Sequence, residues 1–385
     1  MYCVRNITSD LYWVGANDHR LALFENCFPI PRGVSYNAYC LLDEKTVLFD
    51  TVDWSACRQL LENLNHVLNG RELDYLLINH LEPDHAACIE EILLRHPKVK
   101  VISNEKAFML MRQFGFHVDG HECIEVKEGD TFSFGRHTVT FVGAPMVHWP
   151  EVMMTYEATE KILFAADGFG KFGALDVEEE WANEARRYYI GIVGKYGPQV
   201  QAVLKKAAGL DIQTICSLHG PVLKENLGFY LEKYDKWSSY QPEESGVVIA
   251  YASVYGNTRN AAEYLADVLQ EKGQKTVLYD LARCDKAKAV ADAFRYDRLV
   301  LAGITYNGDL FPCMRSFIEG LTERNYQNRK VAIIENGTWA PMAGKLILGM
   351  FEKSKNLTFT ETTVSKSAMN EQNKGEIGKL AEELS

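Results

Sequence analysis

The chain has 385 residues, 47% hydrophobic and 24% charged, which is too long for one ordinary core because single cores stop growing at roughly 250–300 residues. Two domains are therefore expected. Its formal charge of −11 repels phosphate backbones and removes the attraction that dominates nucleic-acid binding, leaving small molecules and protein partners. The first residues, Met1-Tyr2-Cys3-Val4-Arg5-Asn6, lack the basic-then-apolar order of a signal peptide. With no run of about 18 apolar residues, a cytoplasmic protein without membrane contact is expected.

In chain order, short alternating segments at 11–14, 37–42 and 46–49 read as strands, and a helix is predicted over 55–68. The apolar run Leu76-Leu77-Ile78-Asn79 reads as a buried strand. Helices follow near 86–95 and 104–114, strands near 122–126, 137–142, 152–157 and 161–165, and helices near 178–193 and 223–237. Clustered early strands with intervening helices point to a mixed α/β sandwich. The polar stretch 240–246 reads as a linker, dividing a domain at 1–243 from one at 246–385. Beyond it the order is regular: a buried strand at 247–251, then a helix over 257–272 with Ala261, Leu265, Val268 and Leu269 on one face. Strands near 276–281, 297–304, 330–335 and 357–362 alternate with helix-length segments that include 313–321 and 368–384. Five βα units imply a doubly wound five-stranded parallel sheet.

The buried strand at Leu76 runs into His80, Glu82, Asp84 and His85, four potential metal ligands within six residues. In an extended segment residues two apart point the same way, so His80, Glu82 and Asp84 converge, while Pro83 biases Glu82 away from helix and His85 opens the helix that follows. Taken singly, Asp84 would be a helix N-cap, His80 a buried hydrogen-bonded ring and Glu82 a solvated loop residue. Together, at the carboxyl end of one strand, they favour a metal site. His148, Asp167 and His219 each follow an apolar strand and precede a glycine or proline turn, where sites are assembled. The histidines at 19, 66, 96, 117, 121 and 137 lie outside this pattern and are assigned no chemistry.

In the second half, the first βα turn carries Ser253, Tyr255, Gly256, Asn257 and Thr258. This hydroxyl-rich loop opens a helix, so its N–H groups and side chains suit an anion such as a phosphate; a merely capped helix is the alternative. Two later strand-end loops, Thr305-Tyr306-Asn307-Gly308 and Asn336-Gly337-Thr338-Trp339, would meet it at the topological switch point of the sheet. There Tyr306 and Trp339 can flank a flat ring, with an ordinary aromatic core as the alternative. The run Gly168-Phe169-Gly170-Lys171-Phe172-Gly173 satisfies a dinucleotide fingerprint but lies outside any series of βαβ units, with acidic residues crowding 176–180. It is read as a turn of the metal loop.

The first constellation resembles the metallo-β-lactamase-like superfamily, whose loop reads His-x-His-x-Asp-His, except that Glu82 replaces the second histidine. His-x-Glu-x-Asp-His with later His, Asp and His is the pattern of flavodiiron proteins. The second half resembles a flavodoxin, with Tyr255 at the third position of the phosphate loop, so the resemblance covers both halves. It implies an N-terminal metallo-β-lactamase-like αββα sandwich and a C-terminal flavodoxin-like domain. It also implies a non-haem di-iron site: His80, Glu82 and His148 on one iron, Asp84, His85 and His219 on the other, and Asp167 bridging. Family members differ in whether the ring at the His85 position reaches its iron. FMN would bind without a covalent link, its phosphate on the 253–258 loop and its isoalloxazine between the two later loops. No catalytic group beyond the metal ligands is assigned.

The implied activity is reduction of dioxygen to water, of nitric oxide to nitrous oxide, or both, by electrons relayed through FMN from an external donor. A separate rubredoxin, another flavoprotein or a reduced deazaflavin would fill that role. The nine cysteines include no Cys-x-x-Cys pair, so a rubredoxin-type iron site within this chain is excluded. A head-to-tail homodimer, or a dimer of dimers, is also implied. Two rivals are a zinc hydrolase fused to a flavodoxin-like domain and a non-catalytic flavin electron carrier.

Overall fold

The computed structural model describes residues 2–385. They form two compact units, one through Tyr189 together with Pro198–Asp235, the other Ile190–Gly197 together with Lys236–Ser385.

The first unit is an αββα sandwich. One sheet orders its strands Arg5–Asn6, Leu11–Trp13, Tyr39–Leu42, Thr46–Phe49, Tyr75–Leu77, Lys100–Ser103 and Cys123–Glu125. It is antiparallel as far as Thr46–Phe49 and parallel beyond, where helices make the crossovers. The second sheet runs Thr131–Ser133, Thr138–Gly143, Met153–Glu157, Ile162–Phe164 and Thr214–Cys216. Strand alternation decides which side chains meet between the sheets. Tyr39, Leu41, Val47 and Phe49 face inward against Phe141, Met153, Phe164 and Cys216, and the Phe49 and Phe164 rings stack with centroids 4.0 Å apart.

Several elements differ from their sequence expectation. Pro83, pre-set for a first helical position, starts a short helix at Pro83–Ala86, so the predicted helix over 86–95 is split and resumes as Ile89–Arg95. Asp84 and His85 thus sit inside a single turn. The helix expected over 178–193 is α-helical only at Trp181–Tyr188 and then loosens through Tyr189–Val193 and Gly194–Tyr196, where glycines recur. An unanticipated helix, Gly197–Ala207, follows; the spacing of Val200, Val203, Leu204 and Ala207 carries its signal behind a Gly197-Pro198 pair. The strand Thr131–Ser133 was also not anticipated.

In the second unit five parallel strands are ordered Thr276–Asp280, Glu244–Tyr251, Tyr296–Tyr306, Arg329–Asn336 and Leu357–Phe359. The first of these strands begins at Glu244, inside the polar stretch read as a linker. The strand expected at 357–362 is two short pieces, Leu357–Phe359 and Thr363–Ser365, both paired with Arg329–Asn336. Val247 and Ile249 pack with Ala261, Leu265 and Leu269 of the helix Asn257–Glu271 and with Ile377 and Leu380 of Glu371–Glu383. Strand order reverses between Glu244–Tyr251 and Tyr296–Tyr306, which opens a crevice at their carboxyl ends. Among the described residues no helix is long and apolar enough to cross a membrane.

Candidate metal centre and flavin loops

At the end of Tyr75–Leu77 the chain is pinned by the buried Asp50. Its carboxylate accepts from the Asn79 amide nitrogen at 2.7 Å, the Asn79 side chain at 2.8 Å and the His80 amide nitrogen at 3.3 Å. His80 is fully buried, and its Nδ1 lies 2.8 Å from Glu151 Oε1, an oxygen that also accepts from the Leu81 amide nitrogen at 3.0 Å. A carboxylate on Nδ1 aims Nε2 inward, as in metal-bound imidazoles. His80 Nε2 lies 3.5 Å from Glu82 Oε2 and 3.3 Å from Asp167 Oδ2; His148 Nε2 lies 3.0 Å and 3.1 Å from the same two oxygens.

A second group forms beside it. Asp84 Oδ2 is 3.3 Å from His85 Nε2 and 3.2 Å from His219 Nε2, and the two imidazole nitrogens are 3.0 Å apart. His219 Nδ1 is directed at the Ser35 carbonyl at 2.7 Å, which turns its Nε2 toward Asp84. Asp167 joins the groups: while Oδ2 faces His80 and His148, Oδ1 is 3.3 Å from His85 Nε2 and 3.9 Å from His219 Nε2. All seven residues singled out in the sequence are thus brought together, as His80, Glu82, His148 and Asp167 in one cluster and Asp84, His85 and His219 in the other.

The electrostatics are those of a site made for positive charge. Burial works against ionising Asp167, yet the surrounding imidazoles hold its carboxyl well below the usual range, and Glu82 is likewise held low by His148 and His80. Burial would neutralise His148, but Asp167 and Glu82 push it up to about 9, and His80 is raised well above its ordinary value by Asp167, Glu151 and Glu82. His80 Nε2, both oxygens of Asp84 and Asp167 Oδ1 are buried without a hydrogen-bond partner. An unpaired buried polar group costs about 1–3 kcal/mol, so four in one pocket suit groups that are satisfied together by cations. The donors are imidazole nitrogen and carboxylate oxygen with no thiolate, a set that fits iron with open positions.

Several residues around the cluster had not been singled out. Glu151 lies three residues beyond His148, a spacing that could have flagged it as a partner for a ligand ring. Glu25 sits in a tight turn between Leu23–Phe24 and Phe28–Pro29, with positive φ at both Glu25 and Asn26. Desolvation and the charge of Glu82 push the Glu25 carboxyl up to about 8. The rings of Phe24, Tyr36 and Tyr188 lie 5.4, 6.0 and 5.3 Å from that of His219 and wall the second cluster. Nothing in their local spacing marks them.

In the second unit, Gly256 takes φ 95°, which only glycine adopts readily, and its amide nitrogen donates to Ser253 Oγ at 3.1 Å as the helix begins at Asn257. Thr258 is buried, whereas Tyr255 is 94% exposed. Asn307 and Gly308, both at positive φ, form the two-residue turn that pairs Tyr306 with Asp309. Tyr306 packs edge-on against Phe311 at 5.1 Å and remains partly exposed, and Trp339 is 82% exposed. Exposed aromatic surface beside a helix N-terminus, on the loops of adjacent strands, fits a flat ring bearing a phosphate. Three of the residues singled out are occupied elsewhere. Thr305 Oγ1 accepts from the Met342 and Ala343 amide nitrogens, the Asn336 amide spans Ser367, and Thr338 Oγ1 accepts from Ser367 Oγ. They tie the loops to their surroundings.

Fold and site define a β-lactamase-like metal domain joined to a flavodoxin-like domain. Residues 34–220 match the family model described as ODP family beta lactamase, and 248–370 match that of a flavodoxin domain. A nitric oxide reductase of Moorella thermoacetica is 30% identical over 351 residues, covering 89% of this chain and 88% of that one. The structure of rubredoxin oxygen:oxidoreductase from Desulfovibrio gigas superposes with a TM-score of 0.92 at 25% identity, over 99% of this chain and 97% of that one. A variant of the flavo di-iron protein of Thermotoga maritima shares the fold, with a TM-score of 0.91 at 24% identity over 100% and 99% of the two chains. The chain belongs to the flavodiiron protein family.

Proposed function

We propose that the chain is an oxidoreductase reducing dioxygen to water, nitric oxide to nitrous oxide, or both, at a di-iron site supplied with electrons through FMN. The observation that carries this reading is the placement of Asp167, whose two oxygens face two separate clusters of three donors each. In this assignment His80, Glu82 and His148 hold one iron, Asp84, His85 and His219 the other, and Asp167 bridges. The His85 Nε2 distances of 3.0 Å to His219 and 3.3 Å to Asp84 favour its inclusion.

When bound, the two irons and FMN supply the electrons and the open positions at which the gas is reduced. The protein groups do the rest. Glu151 and the Ser35 carbonyl orient two of the rings, Asp50 fixes the turn that presents His80, and Phe24, Tyr36 and Tyr188 keep bulk water from the second cluster. The loop 253–258 holds the ribityl phosphate, Tyr306 and Trp339 flank the isoalloxazine, and Thr305, Asn336 and Thr338 brace their loops. The working division is a di-iron domain at 1–243 and an FMN domain at 246–385, in a cytoplasmic head-to-tail homodimer or pair of dimers. A separate rubredoxin, flavoprotein or reduced deazaflavin is the donor.

The test is metal and flavin content together with anaerobic turnover of each gas, using a chemically reduced donor. About two irons and one FMN per chain, with consumption of at least one gas, are expected. Asp167→Ala and His148→Ala should lose iron and keep FMN, while Asn257→Ala and Thr258→Val should lose FMN and keep iron. Zinc with hydrolytic activity, or bound flavin without consumption of either gas, refutes the reading.

A further inference from the structure

In the first unit, the outer face of the second sheet encloses an apolar cavity of about 360 Å³. Strand alternation explains its position. Met153, Phe164 and Cys216 point into the core between the sheets, so their neighbours Met154, Leu163 and Ile215 point outward and form the floor. Val203 and Ala207 from the helix Gly197–Ala207 and Leu231 from Leu227–Ser238 form the roof. Leu231 is 38% exposed, which places the mouth at the surface.

The inner end is closed by Val147, Gly168 and Phe169. Val147 immediately precedes His148 and Gly168 immediately follows Asp167. Since consecutive Cα atoms are about 3.8 Å apart, the cavity ends one residue from two members of the metal cluster. The hydroxyl of Tyr234, one of the few polar groups on the wall, accepts from the Phe169 amide nitrogen at 2.6 Å. Such a space is poor for water, which needs two to four polar partners. Apolar cavities of about 150 Å³ stay dry and take up xenon or benzene. The opposite approach to the cluster is ionic, lined by Glu82, Asp84 and Glu25.

We propose that this cavity binds small apolar gas molecules, dioxygen or nitric oxide, and delivers them from the mouth at Leu231 past Phe169 to the metal cluster. The inference rests on the gas-reductase reading above and adds the route by which substrate arrives. A dissolved diatomic gas gains by leaving water for an apolar space, so the cavity concentrates substrate beside the site while excluding water from the same approach.

The experiment uses the holoenzyme, crystallised and pressurised with xenon, together with Ala207→Phe and Leu231→Trp. Both positions are partly exposed, so the added rings enter the cavity without replacing a core side chain. Wild type should show xenon between Val203, Ala207 and Leu231. The filled variants should lose it and show kcat/KM for the gas lowered by about tenfold, with kcat at saturating gas, iron and FMN unchanged. A xenon-free cavity in active enzyme refutes the proposal alone, as does a filled variant with unaltered kcat/KM. Wild-type holoenzyme that consumes neither gas refutes the functional reading, and delivery with it, whatever the cavity holds.

Discussion

Glu151 offers the sharpest test of how the metal cluster is organised, because one of its oxygens serves two buried donors. Oε1 lies 2.8 Å from His80 Nδ1 and 3.0 Å from the Leu81 amide nitrogen, while Oε2 has no hydrogen-bond partner. Glu151 is 1% exposed and His80 fully buried, so water does not replace the carboxylate. In Glu151→Ala the Leu81 N–H is left unsatisfied, at a cost of about 1–3 kcal/mol of stability. The His80 ring also loses its orienting partner, which typically weakens metal binding about 10–100-fold, or about 1.4–2.8 kcal/mol. Glu151→Gln keeps an acceptor oxygen at the shared position and loses only the charge, so it should retain most of the iron. Two measurements separate these effects: the anaerobic rate of iron release into a chelator, and the denaturant midpoint of the metal-free chain. If Glu151→Ala released iron at the wild-type rate, or Glu151→Gln released it as fast as Glu151→Ala, the positioning argument would be wrong.

Two further outcomes concern the scaffold. Gly33 has φ 70°, and a Cβ added there would lie 2.4 Å from the Asp18 carbonyl oxygen, whereas Gly70, at φ 88°, has open space around that position. Gly33→Ala should therefore lower the urea midpoint by about 1–3 kcal/mol, and clearly more than Gly70→Ala, which carries backbone strain alone; equal losses would remove the clash from the explanation. His137, away from the metal cluster, lies 3.0 Å from Glu157 and 3.1 Å from Asp10. Burial lowers its pKa, but these carboxylates outweigh burial and hold it above the ordinary value of 6.5. A folded-state pKa above the unfolded one gives stability that is complete below about pH 6.5 and is lost as pH rises through the folded pKa. Urea unfolding of wild type and His137→Asn across that range should show their difference shrinking toward high pH, and a difference that grows there would reverse the assignment.

The ligand loop was legible because its information is local. His80, Glu82, Asp84 and His85 follow an apolar strand within six residues, and a strand end followed by Pro83 leaves few ways for them to point. The alternation of strand and helix after residue 244 was legible for the same reason, since five repeats of a parallel unit admit one architecture. Helix Gly197–Ala207 was less so, because Gly197-Pro198 resembles a break while the apolar spacing behind it is helical. Thr305 and Asn336 show the reverse limit: side chains that read as ligand contacts spend their hydrogen bonds on Met342, Ala343 and Ser367, which are distant in sequence.

The chain's own order of residues settled the two fold classes, the donor types and the chemistry they suit, since periodicity and residue chemistry are properties of neighbours. Tertiary structure alone decided that Asp167 divides its oxygens between two clusters, that Glu151 serves His80 across 71 positions, and that the Ser35 carbonyl turns His219 across 184. Those relations depend on sheet register and on how strands distant in the chain are laid side by side. A shift of one residue in register would send every side chain of a strand to the opposite face.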